Sequence, residues 1–129
     1  MKKTLLFLVA TIASLQVSIA FDIYDDITAA LRSGNSAAIA AYFDRSVDLT
    51  ILSQEDVYSK AQAEIILKDF FNKNAPKSFN IIHKGTSKDG SMFGIGSLAT
   101  TSGASFRVTF YLKPLNGSDV IQELRIEKE

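Results

Sequence analysis

Ser59-Lys60-Ala61-Gln62-Ala63-Glu64-Ile65-Ile66-Leu67-Lys68-Asp69-Phe70-Phe71-Asn72-Lys73-Asn74 is the stretch from which the fold is read. Ala63, Ile66, Leu67, Phe70 and Phe71 fall at i, i+3, i+4, i+7 and i+8, one apolar stripe on a 3.6-residue period. Ser59 followed three residues later by Gln62 has the form of a capping box, so the start of this helix is written locally. Asn74-Ala75-Pro76 ends it, because proline disfavours helix in the residue before it. Two adjacent phenylalanines near the end of a helix need a wide apolar surface to cover them. The chain from Ser78 onward supplies one, since it reads as strands separated by turns. The expectation is a long helix lying on a curved, mainly antiparallel sheet.

Upstream, Phe21 to Ser33 reads as a first helix, with Ile23, Ile27, Ala30 and Leu31 on one face. Asp22, Asp25 and Asp26 lie in its first turn, where carboxylates favour the helix dipole. Gly34-Asn35 stops it, and Ser36 caps a short second helix over Ala37 to Phe43. Asp44-Arg45-Ser46 breaks the pattern, and Val47, Leu49 and Ile51 alternate with polar residues as a half-buried strand. Gln54-Glu55-Asp56 reads as a turn, with Val57-Tyr58 a short returning strand.

Downstream, Ser78 to Lys84 reads as a strand with Phe79, Ile81 and His83 on one face. Lys88-Asp89-Gly90-Ser91 carries a hairpin signal before the strand Met92 to Thr100, and Gly94-Ile95-Gly96 inside that strand reads as a bend or bulge. Phe106 to Lys113 alternates cleanly, with Phe106, Val108, Phe110 and Leu112 inward and Arg107, Thr109 and Tyr111 outward. Asn116-Gly117 is a second hairpin turn. The last strand, Val120 to Glu127, sets Gln122, Leu124 and Ile126 against Ile121, Glu123 and Arg125.

The first twenty residues read as a targeting signal. Lys2 and Lys3 form a positive start, Leu5 to Leu15 an apolar segment, and Ser18-Ile19-Ala20 a small-x-small cleavage site. The apolar run is short for a bilayer span, so residues 1–20 are expected to be a signal peptide rather than a stable membrane anchor, and residues 21–129 a single exported domain, periplasmic or extracellular. No cysteine occurs, so neither a disulfide framework nor a cysteine-linked lipid is expected. Without Lys2 and Lys3, 12 basic residues face 14 acidic ones, a net charge of about −2. That balance lacks the basic footprint of a nucleic-acid binder.

Motifs for chemistry are sparse. Gly85 and Gly90 have the gap of a phosphate loop, but Ser91-Met92 stands where lysine and a hydroxyl residue belong. Asp22, Asp25 and Asp26 lack calcium-loop spacing, and one histidine without cysteine argues against zinc. No metal or cofactor is expected. His83, the sole histidine, is the one candidate general base, against the alternative of a ring hydrogen-bonded to a turn. Tyr42, Tyr58, Phe71, His83 and Gln122 are the candidates to line a cavity, with Asp44 a further polar neighbour. On the outward face Arg107 and Tyr111 can stand beside Glu123 and Arg125, a cross-strand set that reads equally as an interface or as solvated ion pairs.

The element order matches the α+β cone of the nuclear transport factor 2-like (NTF2-like) superfamily. Pro76-Lys77-Ser78-Phe79, Ile82-His83-Lys84-Gly85, Ile95-Gly96, Phe106-Arg107-Val108 and Glu123-Leu124-Arg125-Ile126-Glu127, with the helix above, resemble a DUF4783-like family of small exported proteins from Bacteroidetes-type bacteria. That resemblance covers essentially the whole chain after residue 20 and implies helices filling the concave side of a bent sheet. Many cone proteins dimerise through the other side of the sheet, so it also implies a homodimer. The expected role is non-catalytic: a small apolar ligand held in the cone, or an envelope protein met through the sheet. The alternative is an isomerase- or dehydratase-like enzyme with His83 as base. A cone filled by Phe70, Phe71, Phe79, Phe106 and Phe110 would favour the interaction role.

Overall fold

The computed structural model describes residues 22–129; the expected signal peptide lies outside the described residues. The elements in chain order are α1 (Ile23–Ser33), α2 (Ser36–Ala40), β1 (Phe43–Ile51), β2 (Gln54–Ser59), α3 (Lys60–Lys73), β3 (Pro76–Thr86), β4 (Met92–Thr100), β5 (Ser105–Leu115) and β6 (Ser118–Lys128). The strands form one six-stranded sheet in the order β2-β1-β6-β5-β4-β3. Every neighbouring pair is antiparallel except β1 and β6, which run parallel.

Local chemistry sets the helices. The Ser59 side chain accepts from the Gln62 backbone N–H at 3.2 Å, and the Gln62 side chain accepts from the Ser59 N–H, closing the capping box of α3. Asp22 caps α1 by accepting from the Tyr24 N–H, and Gly34 ends it at φ +63°, a left-handed conformation in which a side chain would be strained. Asn35, rather than Ser36, caps α2 by accepting from the Ala38 N–H at 3.0 Å. That helix stops at Ala40, because Phe43 already pairs with Ile121 of β6.

Two stretches expected as breaks are strand. Asp44-Arg45-Ser46 lies within β1, where the chain bulges between Phe43 and Asp48 against β6. Gln54-Glu55-Asp56 belongs to β2; the turn is Leu52-Ser53, with Leu52 at φ +58°. Leu-Ser carries no turn signature, so the polar residues beside it misled the reading. Asn116-Gly117, by contrast, forms the expected two-residue hairpin, with both residues at positive φ.

The stripe of α3 packs on the concave face of the sheet. The Phe70 ring meets Phe106 of β5 nearly edge-on, with centroids 5.2 Å apart, and Phe71 at 5.6 Å. Phe79, Leu98, Val108, Phe110, Leu124 and Ile126 complete a closed core. Gly94 and Gly96 make room for two of these rings. A Cβ on Gly94 would lie 2.2 Å from Phe110 Cζ, and one on Gly96 2.4 Å from Phe79 Cζ. The glycines therefore seat aromatic rings and do not bulge β4, whose register with β5 is unbroken from Met92 to Ala99. The bulge is on β3: Ile81 pairs with Gly96 and His83 with Ile95, leaving Ile82 as the extra residue.

Candidate functional site

That bulge decides the position of the histidine. Phe79 and Ile81 face the core, but the extra residue shifts the alternation, and His83 is carried opposite Ile95, away from the rings over Gly94 and Gly96. His83 is exposed, not inward as strict alternation predicts. A second bulge corrects Gln122 in the same way. Tyr111 pairs with Glu123 and Leu112 with Ile121, so Gln122 is the extra residue on β6. Ile121 is fully buried in its place, and Gln122 is exposed.

The other cavity candidates are dispersed. Phe71 is core, packed on Phe70 and beside Gly34. Tyr42 lies in an open groove of about 460 Å³ between α1 and α2, where its hydroxyl donates to Asp26 Oδ2 at 2.8 Å. That bond, and secondarily burial, raises the Tyr42 phenol above its ordinary value. Tyr58 lines a smaller groove of about 200 Å³ with Gln62, Ile65 and Ile66, between β2 and α3. Asp44 forms an ion pair with Lys113 at 3.5 Å. The structure thus does not bring Tyr42, Tyr58, Phe71, His83 and Gln122 together. Phe70, Phe71, Phe79, Phe106 and Phe110 are all buried and fill the concave side where a cone ligand would lie. Among the described residues no group of three or more His, Cys, Asp or Glu could hold a metal ion, and no helix is long and apolar enough to cross a membrane.

The outer face does bring its predicted residues together. Arg107 pairs with Glu127, Thr109 with Arg125 and Tyr111 with Glu123 across β5 and β6. Arg125 Nε donates to Glu123 Oε1 at 2.6 Å, and this bond raises the guanidinium further above its already high value. The parallel register of β1 adds two residues that sequence reasoning did not place there: Asp48 beside Glu123 and Thr50 beside Arg125. Their alternation with Val47 and Leu49 marked them as a polar face. Their neighbours depend on a pairing about 75 positions away in sequence, which no local pattern carries. Thr50 is only 8% exposed, and among the described residues Thr50 Oγ1 and Asp48 Oδ1 are buried without a hydrogen-bond partner. Such groups are uncommon in native proteins and each asks for a reason. Glu123 bonds the guanidinium of Arg125 directly, and the carboxylates of Glu55 and Glu127 also act on it through space. Tyr111, 43% exposed, borders the patch.

Comparison with known proteins now gives the relationship. The family described as Domain of unknown function (DUF4783) matches residues 24–127. The chain belongs to the DUF4783 family. It is similar to a DUF4783 protein from Bacteroides uniformis, with 31% identity over 84% of this chain and 98% of that one and a TM-score of 0.78. A DUF4783 protein from Bacteroides ovatus is 33% identical over 81% of this chain and 93% of that one, with a TM-score of 0.76. An NTF-2-like protein of unknown function from Silicibacter pomeroyi, 14% identical, covers 83% of this chain and 90% of itself with a TM-score of 0.58, and shares the fold alone. No functionally curated protein matches the chain. The NTF2-like fold of this DUF4783 chain is therefore shown, and the family description assigns it no activity.

Proposed function

We propose that this protein is a non-catalytic interaction protein whose working surface is the outer face of the sheet, and that the surface meets a second copy of the chain. The observation that carries this reading is the accessible, mixed-charge Arg125–Glu123–Tyr111 patch that β5 and β6 bring together on the outer face, beside the polar Asp48 and Thr50 of β1. The patch carries both signs of charge, so a two-fold axis through it can set the guanidinium of one copy against the carboxylates of the other. That self-complementarity is what an isologous contact requires. Tyrosine and arginine are also the residue types enriched in interfaces. The aromatic filling of the concave side supports this reading over a ligand held in the cone. An isomerase- or dehydratase-like role needs a base at a pocket, and the exposed position of His83 does not favour it.

The leader-like residues 1–20 support export as the setting, and a near-neutral charge favours a protein partner over nucleic acid. The test is sedimentation velocity on the protein and on Arg125→Glu, which sets a further carboxylate beside Glu123, Glu55 and Glu127. The expected result is a dimer that dissociates in the variant. A monomer at every concentration, or a dimer indifferent to Arg125→Glu and Tyr111→Ala, would show that this face is not a contact between copies.

A further inference from the structure

The sheet has two free edges, and they are finished differently. β3 is closed by α1: Arg32 Nε donates to the Phe79 carbonyl at 2.9 Å, and the Tyr24 hydroxyl, which donates to the Phe93 carbonyl of β4 at 2.9 Å, also lies 3.3 Å from the Gly85 carbonyl, while the bulge at Ile82 breaks the line. At β2 the covering is slight. The Val57 N–H donates to the adjacent Asp56 Oδ1 at 2.8 Å and the Ser59 N–H to Gln62 Oε1 at 3.4 Å, so both point away from β1. Alternation along the strand turns the Glu55 N–H the same way. Beside this edge lie the two most exposed large apolar side chains among the described residues, Ile65 at 68% and Val57 at 63%. Ile65 and Ile66 form, with Tyr58 and Gln62, the apolar groove between β2 and α3. Glu55 and Asp56 are both exposed on the strand.

We infer that the β2 edge accepts an extended segment of a partner protein as a seventh strand, with an apolar side chain seated in the Tyr58–Ile65–Ile66 groove and the alternate lysine or arginine side chains against Glu55 on the opposite face. Charge chooses the occupant. A second copy of β2 would bring the same acids to the same edge, whereas a strand alternating basic and apolar residues offsets them. Main-chain hydrogen bonds supply affinity in this mode of recognition, and the pocket for alternate side chains supplies selectivity. Asp56 is a removable guard: it covers the Val57 N–H when the edge is empty, and its exposed side chain swings away when a strand arrives. This edge adjoins the outer-face patch, since Val57 pairs with Asp48 and Glu55 with Thr50, but the amides it offers lie in the plane of the sheet, so a substitution in the patch and one that removes an edge amide test the two readings apart.

The probe is a synthetic hexapeptide alternating Lys and Val, added to isotope-labelled protein and followed by amide hydrogen exchange and chemical shift. Slowed exchange at Glu55 and Val57, with shifts at Ile65 and Ile66, is the expected result. Asp56→Ala should tighten binding by freeing the Val57 N–H. Val57→Pro, which deletes an outward N–H and the exposed valine side chain but no hydrogen bond to β1, should abolish it while the melting temperature holds. A peptide N-methylated on its pairing amides should not bind, a control that leaves the protein unaltered. Equal binding of a Glu/Val peptide, of the N-methylated peptide or by a folded Val57→Pro would overturn the inference. So would self-association that Val57→Pro removes, which would make the occupant a second copy.

Discussion

At the scale of single residues, the most constrained position is Gly96. A methyl group there would meet Phe79 Cζ at 2.4 Å and the Asn80 carbonyl oxygen at 2.5 Å. The ring could shift, but the carbonyl belongs to the backbone of β3 and cannot do so without moving the strand. Gly96→Ala is therefore expected to destabilise by about 1–3 kcal/mol, the range for overpacking a filled core. An unchanged denaturation midpoint would mean that the ring does not rest on this glycine. Tyr42 offers a test by pH. Its hydrogen bond to Asp26 and its burial hold the phenol neutral, raising its folded value above the unfolded one. The bond's contribution is therefore complete below the ordinary tyrosine value of about 10 and is lost as pH rises through the folded value. Tyr42→Phe should cost about 1 kcal/mol at neutral pH, because the open groove lets solvent screen the bond. The gap from the parent protein should close above pH of about 10; a gap constant across that range would remove the hydrogen bond from the account.

At the scale of elements, what was legible was what local chemistry writes. The cap and stripe of α3, the Gly34 stop and the Asn116-Gly117 hairpin all depend on neighbours within a few positions, and each forms as read. The alternation of β5 held from Phe106 to Leu112 because its partner β4 adds no extra residue. Both misplaced candidates sit at bulges: His83 follows the extra residue Ile82, and Gln122 is itself the extra residue of β6. One inserted residue inverts the faces beyond it, and whether it is inserted depends on a partner strand far away in sequence. The fold was thus readable while the candidate site was not, because the fold rests on periodicity and the site on register. Helix α3 should show this division in its energetics. Ser59→Ala removes a local cap and should cost about 1 kcal/mol. Phe71→Ala empties a core position and should cost about 3–5 kcal/mol. Urea titration orders the two, and a Phe71→Ala midpoint no lower than that of Ser59→Ala would mean that α3 does not rest on the sheet through this ring.

At the scale of the whole molecule, a filled concave side leaves the sheet's outer face and its β2 edge as the surfaces with unmet chemistry. Stability and association are then linked, since whatever binds the folded state alone raises the apparent stability by mass action. If copies meet through Asp48, Thr50, Tyr111, Glu123 and Arg125, the melting temperature must rise with protein concentration. Added salt must weaken that dependence, because at an ionic strength of about 1 M the screening length falls to about 3 Å. Arg125→Glu should abolish the dependence and also lower the low-concentration melting temperature, since it replaces a half-buried ion pair with two like charges. Calorimetry over a wide concentration range reads all three. A concentration-independent melting temperature in the parent would disconnect the outer face from self-association.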